Sequence, residues 1–440
     1  MTLTRRHTPM HLPHLVRTLL AVASLSVLTL GACGERASTA ALPWTMAVDS
    51  TGDTIRVRIT GDVPDSLVRT LEVDLSIGEA DGADELTFGR IGGIVVGQDG
   101  TMFVHDADQT VGLIRMFDTT GTYVRTVGAK GGGPGEYGQL NGFALASNGD
   151  LLLWDGAGSR VNRYASDGSF KSAFLVPVSG MFTANGLHVA SDGTISLSAV
   201  IGREEIANGP PLPIPGFIRF DSLGALRDSV AYPRWTSVKP ATLRVDSPDG
   251  TRSSLFGIPF QPSVTTTLLR DGGVVGGYAD RYAFTIIGAG AKPRQVMREV
   301  AAVPVSDTEA AERRAQIEQN AKRTNPGFSW TGPGIPATKP SFSNISVTDD
   351  GRLWVRVAQP AVPIPEAELP PLRTDVVPPP VRLTTREPIA YDIYAAAGEL
   401  RGRVKLPPRT TVFHVRGDFA WGISRDADDV EFATRFRVTP

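Results

Sequence analysis

The sequence predicts an all-β protein, a single six-bladed β-propeller with one inserted helix, and three observations lead there. Hairpin turns centred on glycine recur at Gly100, Gly149, Gly193, Gly272, Gly351 and Gly417, spaced 49, 44, 79, 79 and 66 residues apart. The shorter spacings suit one four-stranded blade each. A second hairpin follows each of the first five turns. The strands also include continuous apolar runs such as Leu151-Leu152-Leu153-Trp154, as expected where neighbouring blades cover a sheet on both faces.

Residues 1–32 read as a signal peptide, with Arg5, Arg6 and Arg17 but no acid, then an apolar run from Leu19 to Leu30. That run is too short to cross a hydrocarbon core of about 30 Å as a helix. It closes on Leu30-Gly31-Ala32-Cys33, which resembles the bacterial lipobox, whose cysteine is lipidated and becomes the new N-terminus. Cys33 is the single cysteine of 440 residues. An exported chain therefore has no intramolecular disulfide for it, and lipidation gives it a role. An ordinary secretory cleavage beside an incidental cysteine is the competing reading. Residues 33–44 would form the lipidated tether, and 45–440 the propeller. Gly34 follows the cysteine where an Asp would retain the protein, and resemblance to sorted lipoproteins of double-membrane bacteria then implies the outer membrane.

The blades follow in order. Gly93 to Asp106 and Gly142 to Asp155 align as strand, Asx-Gly turn, strand, Asp, and the Asx-Gly pairs are expected to supply the positive φ angles of a tight turn. Similar hairpins sit at Ser191-Asp192-Gly193, Arg270-Asp271-Gly272, Asp349-Asp350-Gly351 and Arg416-Gly417-Asp418. The second hairpins turn at Thr120-Gly121, Asp167-Gly168, Leu223-Gly224, Ala289-Gly290 and Ala397-Gly398. The sixth unit ends after its third strand, Val430 to Val438. Thr54 to Ile59 or Leu67 to Leu75 must then supply the fourth and close the ring, leaving no open edge.

Blades three to five carry the extra length. Residues 202–215 and 231–262 are rich in Pro and Gly and read as loops. Within 306–335, a capping box from Ser306 to Glu309 opens a helix that Asn325-Pro326 stops. Residues 358–388 are proline-rich and read as an extended surface arm.

Without residues 1–32, the chain keeps 41 Lys+Arg against 46 Asp+Glu and is mildly acidic. With no polybasic block, a nucleic-acid partner is not expected.

The stretch Val127-Gly128-Ala129-Lys130-Gly131-Gly132-Gly133-Pro134-Gly135-Glu136-Tyr137 resembles the GxGPGEF loop of bacterial periplasmic six-bladed propellers related to NHL-repeat proteins. A worn copy, Ile77 to Phe88, precedes blade one. Pro340 to Ile345 with Asp350 to Val355, and the ending Trp421 to Glu431, also look like that family. The resemblance covers most of 75–440 and implies the fold; it transfers no catalytic residue.

Candidate chemistry is sparse. The Gly128 to Gly135 loop offers free N–H groups and Lys130, but no helix start and no Lys-Ser or Lys-Thr pair follows, so it is not a phosphate loop; a tight crossover closed by Glu136 is the simpler account. His105, His188 and His414 lie on different blades with no HxH or HxxxH spacing, which argues against zinc. His188 is in register with Val95 and Ala144 and is expected to face the channel. Asp106 and Asp155 end second strands, and Arg115 and Arg160 lie at the start of the third. Asp–Arg bridging within a blade is the plain reading, while His105 and Trp154 beside those aspartates would suit a ligand pocket at the mouth. Trp235 and Trp330, carried by inserts, are further binding candidates. Gly156-Ala157-Gly158-Ser159 lacks the strand-to-helix context of a nucleophile elbow.

The expectation is a lipid-anchored, non-enzymatic binding or scaffold protein of the cell envelope. It would need no cofactor, meet the membrane through its anchor, and hold an envelope protein or polymer, chiefly through the insert-bearing half. The alternative is a lactonase-like hydrolase; resemblance to such propellers implies a calcium held by Glu, Asn and Asp from several blades at the mouth.

Overall fold

The structure, a computed structural model, describes residues 44–108, 112–177, 186–205, 211–236, 238–369 and 378–439. Cys33, the signal segment and residues 34–43 of the tether lie outside the described residues, whereas Trp44, expected to end the tether, is buried in the core. Six antiparallel sheets follow the chain, each opening with a glycine-turned hairpin. Blade 1 comprises Ile91–Val96, Met102–Asp106, Ile114–Phe117 and Tyr123–Val127. Blade 2 runs from Leu140–Leu145 to Phe170–Leu175, and blade 3 from Leu187–Val189 to Leu226–Ala231. Blade 4 runs from Val264–Leu268 to Arg294–Arg298, and blade 5 from Phe342–Val347 to Leu400–Lys405. Blade 6 has Thr410–Arg416, Phe419–Arg425 and Glu431–Thr439.

The fourth strand of blade 6 is Val68–Ile77, antiparallel to Glu431–Thr439 with Leu71 opposite Val438 and Ile77 opposite Ala433. Of the two candidate closing segments, the second therefore closes the ring. The first, Ile55–Thr60, adds in parallel to the outer strand of blade 4 and carries Thr45–Asp49 beyond it, making that sheet six-stranded. Its buried Val57 and Ile59, with Trp44, join the core between blades 4 and 5.

Turn chemistry differs from expectation. At Gly100, Gly149, Gly193, Gly272 and Gly351 the glycine alone has positive φ. Gly100 N–H donates to Gly97 O and Gly97 N–H to Thr101 O, a three-residue loop repeated at the other four sites. The Asx residue instead accepts from the N–H two residues on, as Asp99 Oδ1 does from Thr101 at 3.0 Å and Asn148 Oδ1 from Asp150 at 3.1 Å.

First strands line the axis; fourth strands are outermost, and Leu226–Ala231 of blade 3 is exposed along its whole length. Second strands are sandwiched, and all five residues of Leu151–Asp155 are buried. In such an up-and-down blade, the first-to-second and third-to-fourth turns share one face. Second-to-third connections and blade crossovers share the other, here called the crossover face.

All four inserts emerge on that crossover face, and they are not loose loops. Residues 202–204 and 212–215 extend the blade 3 ladder, with Arg203 opposite Pro213. Within 231–262, Thr242–Asp246 pairs with Ser253–Gly257. The helix spans Asp307–Lys322; Glu309 N–H donates to Ser306 Oγ at 3.2 Å. The Glu309 side chain leaves the capping box for buried Lys339, 2.7 Å away. Hairpin and helix share a small core of Leu243, Val245, Ile258 and Ala321, with Trp330 packed against it. The proline-rich arm lies on the helix: Thr384 N–H donates to Glu312 Oε1 at 2.7 Å, and Gln319 Nε2 donates to Pro379 O at 2.7 Å. From the arm, Glu387 also reaches Lys339 at 2.9 Å. Helix, hairpin and arm thus form one cap over blades 4 and 5, because each buries apolar or charged groups that it cannot satisfy alone.

Candidate functional site

A cleft of about 770 Å³ opens on the crossover face where blades 1, 2 and 3 meet the channel. Three devices of the repeat build it. Strand 1 of blades 1 and 2 carries a β-bulge, with register shifts between Ile91 and Gly93 and between Leu140 and Gly142. The bulged residues, Gly92 and Asn141, line the cleft. Bulges at such rims re-aim a side chain. Gly156 makes room for this one, since a Cβ there would lie 2.1 Å from Asn141 Oδ1. That buried oxygen finds no hydrogen-bond partner among the described residues.

The second device is the pair of aspartates. Asp106 accepts from the N–H groups of Gly89 and Arg90, both at 3.2 Å, and pairs with Arg115 at 3.3 Å. Asp155 accepts from Gly138 and Gln139 at 3.2 and 3.1 Å and pairs with Arg160 at 3.3 Å. Arg160 and Asn162 reach on to Glu136 O at 2.8 and 3.0 Å. Both carboxylates are buried behind the cleft, where they hold the crossover loops. Asp–Arg bridging within the blade is the role the geometry supports.

The third is the glycine-rich crossover. Gly133 N–H donates to Glu136 Oε2 at 2.8 Å, and Gly128 and Gly135 sit at φ +72° and +73°. Within the loop Gly131 N–H also donates to Tyr137 O and Glu136 N–H to Gly133 O, and Lys130 lines the cleft. Arg90, from the preceding crossover, lines the opposite part, with Gln139, Asp108 and Phe143.

Of the sequence candidates, His105 alone lines this cleft; its ring stands edge-on to Phe143 at 5.9 Å. Burial lowers its imidazole to about 4, so it is neutral at pH 7. Trp154, its register equivalent, is core between blades 2 and 3. His188 lies in a separate channel cavity, with Nε2 3.1 Å from Leu269 O, and burial also lowers it to about 4. Trp235 donates to Thr266 Oγ1 at 2.7 Å against blade 4, and Trp330 belongs to the cap. The eight candidates do not converge. Arg90, Gln139 and Asn141 escaped sequence reasoning, although Phe88-Gly89-Arg90 and Tyr137-Gly138-Gln139 repeat one pattern and could have flagged two of them.

Among the described residues, no three His, Cys, Asp or Glu side chains come together as a metal site. Arg90 and Lys130 also make the cleft a poor host for a divalent cation, so the residues here do not fit a calcium centre.

Residues 81–189 match the DUF5128 family, described as a 6-bladed beta-propeller. They span the crossovers and blades that keep the aspartate latch. No curated protein matches the chain. A DUF4221-family structure from Bacteroides vulgatus superposes with TM-score 0.51 at 12% identity, over 84% of this chain and 98% of that one. A Bacteroides fragilis protein provisionally named as exported (TM-score 0.44, 13% identity, 88% and 100% covered) is a looser likeness. So is virginiamycin B lyase from Staphylococcus aureus (TM-score 0.34, 13% identity, 84% and 99% covered). Sheet topology and ring closure make this chain a six-bladed β-propeller, the fold by which the family matching residues 81–189 is described.

Proposed function

We propose that the protein is an exported, lipid-anchored binding module that holds an acidic saccharide chain of the cell envelope in the crossover-face cleft. The lining of that cleft carries the reading. Two cations, Arg90 and Lys130, outnumber the one carboxylate of the lining, Asp108, around a rim of neutral hydrogen-bonding side chains, Gln139, Asn141 and His105, beside the Phe143 ring. Arginine matches carboxylate geometry with paired N–H donors, and amides suit hydroxyls. The volume falls in the range of about 300–1,000 Å³ typical of small-ligand sites. The anchor rests on Cys33 at the end of the apolar leader.

Calorimetric titration of the mature protein with tetragalacturonate and with neutral maltotetraose tests the ligand. The acidic chain should bind and the neutral one should not. Arg90→Ala and Lys130→Ala should each weaken binding about 10- to 100-fold, the loss of one charge-assisted hydrogen bond of about 1.5–3 kcal/mol. Equal binding of both sugars, or an indifferent Arg90→Ala, would refute the reading. Loss of binding on chelation, with a tightly held divalent ion, would favour the calcium-dependent hydrolase. For the anchor, Cys33→Ala should accumulate as uncut precursor or be released as soluble protein; an unchanged mass of the mature N-terminus would sink it.

A further inference from the structure

We propose a second binding site, for a compact oxyanion, in the channel cavity on the turn face. This cavity of about 130 Å³ is separate from the cleft, and all six blades contribute to it. Blade 3 supplies His188, blade 4 Arg270, blade 5 Asp349, and blade 6 His414 and Arg416; blades 1 and 2 add Gly97 and Ser147.

The charges do not balance. Arg416 donates to Asp349 Oδ2 through Nε at 2.9 Å and Nη2 at 2.7 Å, and to Gly97 O and Val96 O at 2.7 and 2.6 Å. It is therefore spent on closing blade 6 to blades 5 and 1. Arg270 approaches the same carboxylate through Nη1 at 3.4 Å, a long bond, and makes no other side-chain hydrogen bond among the described residues. His414 Nε2 lies 3.3 Å from Asp349 Oδ2 without the alignment of a hydrogen bond. One carboxylate thus faces two guanidinium groups.

Nor can Asp349 give up its charge: burial would raise its carboxyl, but His414 and Arg416 hold it well below the usual carboxylate range. His188 adds no positive charge. Its Nε2 faces a carbonyl, which can only accept, so Nε2 carries the proton and Nδ1 is left as an acceptor. Two guanidinium groups against one carboxylate leave the cavity net positive, with an underused guanidinium and the Ser147 hydroxyl. A single small oxyanion, carboxylate or hydrogen phosphate in size, satisfies all three, because a guanidinium fork binds either group with paired bonds. Arg270 is partly exposed, with 37% of its side chain open, which gives such an ion a way in from the turn face.

The test is thermal unfolding and calorimetry of the full-length mature protein with sodium phosphate, sodium acetate or sodium chloride at matched ionic strength. Phosphate or acetate should raise the melting temperature above the chloride value; which of them does so tells phosphoryl from carboxylate chemistry. Arg270→Gln should melt like wild type in chloride, since it gives up one 3.4 Å bond, and should lose at least about tenfold in oxyanion affinity, the worth of one charge-assisted bond. Arg270→Lys should recover part of it, and Arg90→Ala in the cleft should leave it unchanged. Equal effects of all three salts on wild type, or oxyanion binding by Arg270→Gln at wild-type strength, would overturn the proposal.

Discussion

Closing the ring with Val68–Ile77 makes a quantitative prediction at Leu71. This side chain is 4% exposed and packs with Trp354, Val404 and Phe436 between blades 5 and 6. Val73, two residues on, is 62% exposed. Leu71→Ala removes three carbons from a site walled by two sheets that hydrogen bonding holds in place, so the cavity cannot collapse. A loss of about 2–5 kcal/mol follows, toward the upper end. Val73→Ala should stay within about 0.5 kcal/mol. In urea at pH 7, with a slope of about 3 kcal/mol/M, the first variant should unfold about 1.5 M earlier and the second nowhere measurably earlier. A chain beginning at Gly78 lacks the strand altogether. It exposes the edge of Glu431–Thr439 and should aggregate or lose cooperative melting. If Leu71→Ala and Val73→Ala unfold at the same urea concentration, or the truncated chain melts like the whole, this strand does not hold the ring shut.

Three further outcomes are expected. Lys339→Met leaves buried Glu309 and half-buried Glu387 without their shared cation and should cost about 3–5 kcal/mol in urea unfolding; a loss below about 1 kcal/mol would mean the cap is not held there. His188 is lowered to about 4 in the fold against about 6.5 in a free chain, so between those values the unfolded state takes a proton that the folded state refuses. Its stabilisation is complete above about pH 6.5 and is lost as pH falls toward 4; His188→Gln should flatten that part of the stability profile, and an unchanged slope would count against a buried neutral ring. Replacing 358–388 by a Gly-Ser linker should loosen the cap, because the arm brings Glu387 to Lys339 and Thr384 to Glu312; hydrogen exchange over Asp307–Lys322 should quicken, and unchanged protection would show the arm to be passive.

Local features were legible in the sequence because short-range physics sets them. A glycine two residues before a strand needs only its own φ freedom, and Ser306 needs only the N–H three residues on, so the turns, the blade strands and the helix could be read directly. Tertiary structure alone decided what depends on partners far along the chain. Ile55–Thr60 and Val68–Ile77 are both good strands, and the free edges of blades 4 and 6 determined which took each place. Pro-rich inserts looked like loops because the surfaces they cover come from other inserts. The cleft was invisible for the same reason: Arg90, Lys130 and Asn141 belong to two crossovers and one bulge, and ring closure, which no local pattern encodes, places them around one opening.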